Sequence, residues 1–369
     1  MAPRRPLQRR RREVALMFAR TCNIACRHCG IESAPWNKSK MRLEEARRYV
    51  VEAAGIPHLA KVTFTGGEPF LFQKEHLELV ELCSSLGLET RVVTNGFWAK
   101  DLERGLELLS RFRAAGLSEL NFSADKFHLE FMEAGVLVNA LECARRLGYA
   151  RIVSFVTNDT SSDALSLLSE MYGLPREELD DLRHYGKSRE AIEAVKDDKI
   201  LVHAGGLIGL GRAAEHPDEL RHFPVDSFPR ETCGEVVNRP VIYPDGDFQA
   251  CCCAGGKIGT FTVGNLKQYA LGELYARMEE RAHYDFINTH GPLELFRAVR
   301  RARPELPRAM QYTSVCEMCV MAAAGLEPHE LDAIAEGAIA EETLVALGVV
   351  APYHQRPASA HEQDTRDAQ

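Results

Sequence analysis

The chain has 369 residues, 45% of them hydrophobic and 27% charged, and a formal net charge of −8. That is the composition of a soluble globular protein with a large core and more than one domain. The acidic balance argues against broad nucleic-acid binding. No apolar run is long enough to span a bilayer, and the arginine-rich start carries no signal-peptide pattern.

Residues 1–12, with Arg4, Arg5, Arg9, Arg10, Arg11 and Arg12, read as a flexible basic arm, either simply solvated or a contact for an acidic partner. Short β-branched runs then alternate with amphipathic segments as far as about residue 205. The expected strands are Val14–Phe18, Lys61–Thr65, Glu89–Thr94, Glu119–Ser123, Arg151–Val156 and Lys199–His203. Helical spacing of apolar residues predicts helices at Arg42–Ala54, Lys74–Ser85, Leu102–Ala114 and Phe131–Leu147, with shorter ones at Ala164–Tyr172 and Arg176–Leu182. Alternating strands and helices imply an α/β fold with a mostly parallel sheet. By itself the alternation fits a partial barrel and a doubly wound sheet equally.

Near residue 215 the character changes. Pro217, Pro224, Pro229 and Pro240 interrupt a polar stretch, and a boundary at 215/216 divides a core (13–215) from a smaller domain (216–351). That domain opens on a hairpin, Val241–Tyr243 and Phe248–Cys251 around Pro244-Asp245-Gly246-Asp247. Helices are expected at Leu271–Glu280, Leu293–Ala302 and Glu317–Ala324. Residues 352–369 read as a disordered tail.

Eleven cysteines are unevenly spread. Without a secretion signal, close spacing points to metal rather than disulfides, and to a reducing cytoplasm. Cys22, Cys26 and Cys29 form a Cys-x3-Cys-x2-Cys run after the first strand. Thiolates hold iron–sulfur clusters, and three without a fourth leave one iron of a cubane open. Zinc is the alternative, although a structural zinc site is closed by four ligands. Gly66-Gly67-Glu68-Pro69 follows the second strand, where glycines let a ligand approach the backbone. Asn95, Ser123 and Asp125 end the next two strands, each a candidate ligand contact or a turn former. In Asp125-Lys126-Phe127-His128, His128 reads as a surface histidine, with proton donation as the alternative. Gly205-Gly206 and Gly209-Leu210-Gly211-Arg212 follow the sixth strand. A second set, Cys233, Cys251, Cys316 and Cys319, suffices to ligate one cubane completely; zinc again stands as the alternative. Cys252 and Cys253 adjoin the hairpin ligand. Cys83 and Cys143 lie on helical patterns as small buried apolar residues.

The first cysteine run followed by Gly-Gly-Glu-Pro resembles the radical S-adenosylmethionine (SAM) superfamily, with His28 where the family usually has an aromatic residue. The resemblance implies a partial (β/α)6 barrel. It assigns a [4Fe-4S] cluster to Cys22, Cys26 and Cys29 with SAM on the open iron. The amino group of SAM falls to Gly66, Gly67, Glu68 and Pro69, and the glycine-rich segment after the sixth strand resembles one that closes the SAM site. Cys233, Gly246, Cys251, Val263-Gly264-Asn265-Leu266 and Cys316-Glu317-Met318-Cys319 are similar to the C-terminal extension called SPASM, in its truncated single-cluster (twitch) form, and imply an auxiliary [4Fe-4S] cluster.

The activity so implied is reductive cleavage of SAM to a 5′-deoxyadenosyl radical and hydrogen abstraction from a substrate. The substrate class expected is a ribosomally made peptide, cross-linked, dehydrogenated or epimerised. A small-molecule dehydrogenase is the rival, and a non-catalytic iron–sulfur electron carrier the reading from another class. The motif begins at Cys22, which leaves no room ahead of it for a leader-binding domain; this lowers the peptide reading without removing it, because a separate leader-peptide-binding protein can supply that recognition. A flavodoxin or ferredoxin is expected as electron donor, with no nucleic acid and no membrane partner.

Overall fold

The computed structural model describes residues 12–157, 163–185, 199–251, 256–306 and 308–347. The flexible-arm reading of residues 1–11, the 352–369 tail, and Cys252 and Cys253 lie outside them. Arg12, assigned above to that arm, is instead the first residue of strand β1 (Arg12–Ala19). It pairs with Glu279 at 2.5 Å and lies over the Tyr275 ring, so strand and C-terminal region share it.

The six expected strands form, as β1, β2 (Leu59–Gly66), β3 (Glu89–Thr94), β4 (Glu119–Asp125), β5 (Arg151–Val156) and β7 (Ile200–Gly205). A further short strand, β6 (Leu179–Asp181), stands where a helix over Arg176–Leu182 was expected. Buried Leu179 pairs there with Ile200, and only single 3-10 turns flank the strand. These strands pair in parallel in the order β1-β2-β3-β4-β5-β7-β6. The hairpin forms as β9 (Val241–Ile242) and β10 (Asp247–Gln249), continued by β11 (Thr262–Asn265). It adds to the same sheet through a parallel β1–β9 pair. A separate two-stranded ribbon pairs β8 (Phe223–Pro224) with β12 (Gln311–Tyr312).

Strand side chains alternate between faces. Val14, Leu16, Phe18, Val62, Phe64, Val92, Leu120 and Phe122 share one buried core with residues of α1 (Leu43–Ala54), α2 (Gln73–Ser85), α3 (Leu102–Ala114) and α5 (Ala134–Arg146). Each fully buried large side chain there is worth about 2–3 kcal/mol. Ala15 and Met17 point the other way and pack on Val241, Tyr243 and Ile31. In β1 and β2 one face is thus covered by helices, while Ala15 and Met17 on the other meet Ile31 of the cysteine loop. One-sided helix cover fits an open (β/α) barrel, whereas a doubly wound sheet carries helices on both faces. At the amino ends of the strands, Glu13, Lys61, Arg91 and Glu119 form an ion-pair network. The carboxyl ends are left for the site.

The expected Phe131–Leu147 helix starts later, at Ala134, because Asp125 first caps a separate short helix, α4 (Lys126–Leu129). After α6 (Ala164–Tyr172), the C-terminal part holds α7 (Leu271–Glu279), α8 (Ala282–His290), α9 (Pro292–Ala302), α10 (Val315–Ala323) and α11 (Pro328–Ala346). Of these, α8 and α11 were not anticipated. They are tied together by Asp332, which accepts from His283 Nδ1 (2.6 Å) and from Arg281 (2.9 Å).

His76 on α2 is buried between the edges of Phe18 and Phe64, and its Nδ1 donates to the Phe72 carbonyl at 3.0 Å. Burial pushes its imidazole down from 6.5 to about 4. The folded state therefore binds fewer protons than the unfolded chain between these values, so stability is lost as pH falls through that window. A His76→Phe variant is expected to lose less stability than the parent between pH 6.5 and 4, by up to ~3 kcal/mol. Urea unfolding at both pH values checks this, and equal losses in the two proteins would contradict it.

Candidate functional site

The first site lies at the carboxyl ends of β1–β4. The loop between β1 and α1 carries Cys22, Cys26 and Cys29, of which the first two are buried. The loop is held at its base by the turn after β2. Gly67 N donates to Ala19 O (2.8 Å) and Glu68 N to Thr21 O (3.0 Å), prolonging the β1–β2 pairing beyond the strands. A Cβ on Gly67 would lie 1.8 Å from Thr21 O, and Gly66 sits at φ +119°. The closeness of this turn is therefore to the protein's own cysteine loop.

A cavity of about 260 Å³ opens here. The three cysteines, Gly66, Gly67, Glu68, Asn95 and Ser123 all line it, with His28 and His128. Pro69 does not; it is buried as the first residue of a 3-10 turn. Glu68 faces inward, and its carboxylate is held by three bonds within the protein. It accepts from Phe70 N (3.1 Å) and Thr94 Oγ1 (2.8 Å) on Oε1 and from Asn95 N (2.9 Å) on Oε2, which clamps the turn to the end of β3 and leaves Oε2 capacity for one further donor. Burial raises it to about 7 against these bonds. Asn95 Nδ2 reaches Asn23 Oδ1 (2.9 Å) and Cys22 Sγ (3.8 Å), so its amide positions a thiol.

Of the two readings open for Asp125, ligand contact or turn former, it takes the second here: it is 1% exposed, is not among the residues lining the cavity, and caps α4. Its Oδ1 takes the Phe127 and His128 amides and, at 2.8 Å, His128 Nδ1; its Oδ2 lies 3.3 Å from His28 Nε2. His128, read above as a surface residue, is buried and lines the cavity. Burial opposes its charge, but the Asp125 carboxylate and the Cys26 thiol outweigh it and raise the imidazole to about 10. Asp125, also against burial, is held well below the usual carboxylate range by His128 and His28. The signal for this cluster was in the sequence as Asp125-Lys126-Phe127-His128; the participation of His28 was not, because it comes from another loop.

A polar ligand fits this cavity on an independent observation. His28 Nδ1 and Ser33 Oγ, both buried in its wall, have no hydrogen-bond partner among the described residues. The donor set fits a cluster better than one ion. A tetrahedral zinc with bonds of ~2.3 Å holds its sulfurs ~3.8 Å apart. Among the described residues, the group gathered within 4.8 Å is His28, Asp125 and His128, in which Asp125 engages both histidines, and not the three thiols.

In the second cysteine set, Cys316 and Cys319 sit one turn apart on α10, which starts at Val315 (Glu317 was expected) and is capped by Ser314. Burial, then Cys316 and Cys233 beside it, push the Cys319 thiol far up. Cys233 is held through its backbone by α8 (N to Ile287 O, 3.2 Å). Cys251 follows β10 and lies near Tyr284 of the same helix. Cys316, Cys319 and Cys233 thus lie together, and Cys251 reaches the helix that holds Cys233. Cys83 and Cys143 are buried in the main core, as expected. A cleft of about 540 Å³ separates the first cysteine loop, at Arg20 and Ile31, from Lys257, Thr260 and Val320 of the C-terminal part.

Residues 16–187 match the family described as the Radical SAM superfamily. They form a radical SAM domain. That family implies a [4Fe-4S] cluster and SAM. A Bacillus subtilis (strain 168) protein named for peptide biosynthesis, YydG, is 29% identical over 133 residues, covering 36% of this chain and 42% of that one. A GTP 3′,8-cyclase of Pelotomaculum thermopropionicum is 34% identical over 133 residues, covering 33% and 38%. The chain thus spans less than half the length of these relatives. Among solved structures, anSMEcpe with bound AdoMet and Cp18Cys peptide aligns over 88% of this chain and 99% of that one at 12% identity, TM-score 0.48. Streptococcus suis SuiB bound to precursor peptide SuiA aligns over 84% and 76% at 14% identity, TM-score 0.41.

Because Gly67 touches backbone, a Gly67→Ala variant is expected to displace the cysteine loop and to retain less iron at the first site, about four fewer atoms per chain in the limit. Iron analysis after reconstitution checks this. Normal iron with only weakened SAM binding would return the turn to a purely ligand-facing role.

Proposed function

We propose that this chain is a radical SAM enzyme acting on a peptide. In this reading Cys22, Cys26 and Cys29 hold a [4Fe-4S] cluster and the adjoining cavity takes SAM. Cys233, Cys251, Cys316 and Cys319 hold an auxiliary [4Fe-4S] cluster. The chemistry supplied by these groups when bound is reductive cleavage of SAM, removal of a hydrogen atom from an unactivated carbon, and an oxidative cross-link, dehydrogenation or epimerisation. The observation that carries the reading is the convergence of three thiols, the Gly-Gly-Glu turn and two unpartnered polar atoms on one cavity.

The chain's own residues orient and exclude. Asn95 and His128 direct polar hydrogens at Cys22 and Cys26, a contact that holds sulfur ligands in place and tunes a cluster. Ile24, Phe127 and Leu207 pack behind the cysteines and keep water from that side. His28 Nδ1 and Ser33 Oγ are the groups free to bind a polar part of SAM. The cleft beside Arg20 gives a substrate access between the two cysteine sets. Similarity to YydG supports a peptide substrate. Similarity to GTP 3′,8-cyclases favours the rival small-molecule reading. A flavodoxin or ferredoxin as donor, a separate leader-binding protein and a cytoplasmic setting complete the proposal; among the described residues no helix is long and apolar enough to cross a membrane.

Cys22, Cys26 and Cys29 changed together to alanine are expected to remove about four irons per chain and all 5′-deoxyadenosine formation from SAM under a reductant. Continued nucleoside formation would overturn the assignment.

The pair Cys316→Ala and Cys319→Ala is expected to lose a similar amount of iron yet still release 5′-deoxyadenosine, while no hydrogen-poor product accumulates in mass spectra of a peptide encoded beside the gene. Undiminished oxidised product from a folded variant without the second cluster would remove that cluster from the reaction. Turnover of a small alcohol, with no peptide changed by the intact chain, would favour the small-molecule reading.

A further inference from the structure

The segment after β7 makes contacts that neither cysteine set explains. Arg212, half-buried, aims its guanidinium at the backbone of the first cysteine loop. Its Nε and Nη2 donate to Cys26 O (3.0 and 2.8 Å), and Nη2 also donates to Ser33 O (2.7 Å). Its own amide donates to Cys29 O (3.2 Å). Three carbonyls of one loop are thus fixed by one residue from outside it, those of Cys26 and Ser33 through charge-assisted bonds about twice as strong as neutral ones and that of Cys29 through an ordinary backbone bond. Gly211, at φ +58°, is pressed so closely on the loop that a Cβ would lie 2.4 Å from Gly30 O. Leu207 and Ala213, on either side, pack with Cys22, Ile24 and Cys26.

The other end of the same segment is held by the C-terminal part. Gly209 N donates to Thr313 Oγ1 at 2.8 Å in a buried bond. Thr313 Oγ1 donates in turn to Glu317 Oε2 (2.7 Å), which also accepts from Thr313 N (2.5 Å). Glu317 stands between Cys316 and Cys319. Four residues of backbone, Gly209–Arg212, are therefore hydrogen-bonded at one end to the carbonyls of Cys26, Cys29 and Ser33 and at the other to Thr313, which is bonded to the helix that carries the second pair of cysteines.

We propose that Gly209–Arg212 is a tie-bar in which Arg212 is a positioning residue for the Cys26–Cys29 loop, and that Thr313 and Glu317 anchor it, so that the geometry of the first cysteine site depends on the helix bearing the second. Physical coupling between sites requires a contiguous element that both engage, and this segment is one. Ordering of α10 pulls Gly209 into register, and Gly211 and Arg212 then meet the loop. If the anchor is loosened, the carbonyls of Cys26, Cys29 and Ser33 lose the donors supplied by Arg212, and the loop exchanges faster.

The test uses the full chain in two states. Without metal, hydrogen–deuterium exchange is followed at the amides of Cys22, Glu32 and Ala34, which are hydrogen-bonded within the loop or to its base. Thr313→Val removes the acceptor for Gly209 N at a residue remote from those amides. It is expected to speed their exchange by roughly tenfold, and Thr313→Ser, which keeps the hydroxyl, to restore the parental rate. After cluster reconstitution, Arg212→Ala is expected to weaken the change that SAM produces in the electron paramagnetic resonance spectrum of the reduced first cluster, raising the SAM concentration needed by roughly tenfold. Arg212→Lys should recover part of it. Unchanged loop exchange in a folded Thr313→Val chain, with faster exchange confined to 209–213, overturns the tie-bar. So does a parental spectroscopic titration for Arg212→Ala. Only the spectroscopic arm depends on reading Cys22, Cys26 and Cys29 as cluster ligands. An intact chain that takes up no iron there defeats that reading, while the exchange arm still decides the tie-bar.

Discussion

The contact on which the rest of the site depends is backbone against backbone: Gly67 over Thr21. Two parallel strands ordinarily stop exchanging hydrogen bonds where their loops diverge. Here β1 and β2 continue to pair through Gly67 N and Glu68 N, and the cysteine loop leaves from a fixed point. A side chain of any size at Gly67 would separate the two, which is why the position carries none. Because the loop's origin is set by the sheet, the three thiols arrive at the carboxyl ends of the strands, beside Thr94, Asn95 and Ser123.

Around that point the buried polar groups are paired with unusual completeness. An isolated buried carboxylate or imidazolium costs several kcal/mol. Glu68 is offset by three donors and Asp125 by two histidines and two backbone amides. His28, which sits between two cysteines, is thereby tied to β4 and stacked on Phe127. The atoms left over, His28 Nδ1 and Ser33 Oγ, are distinguished by contrast. In a wall where nearly everything else is satisfied, two unpartnered groups facing a cavity mark where a ligand's polar atoms belong.

The C-terminal part is not a bystander to this arrangement. Its hairpin extends the sheet next to β1, Tyr243 closes the inner face over Met17, and Thr313 and Glu317 reach the segment that grips the cysteine loop. The strained backbone of Val237, a β-branched residue at φ +69° close to Cys233, is held in place by the same packing. The two cysteine sets are thus connected through the body of the protein as well as across the cleft between them.

Local pattern determined a good deal. Strands Glu89–Thr94 and Arg151–Val156 and helices Leu102–Ala114 and Ala164–Tyr172 lie where periodicity puts them, because burial of one face repeats at the period of the element itself. The first cysteine run and the Gly-Gly-Glu turn, which line one cavity, were legible for a similar reason: each is contained in a few neighbouring residues. Tertiary structure decided what depends on residues far apart in the chain. It placed Leu179–Asp181 in a strand, since β7 was there to pair with it. It buried His128, joined it to His28 through Asp125, and spent the side chains of Glu68 and Asn95 on the protein. It also gave Arg212 three carbonyls of a loop about 180 residues away. Hydrogen bonds of that kind have no period and no local signature; they exist only once the sheet has brought its loops to one edge.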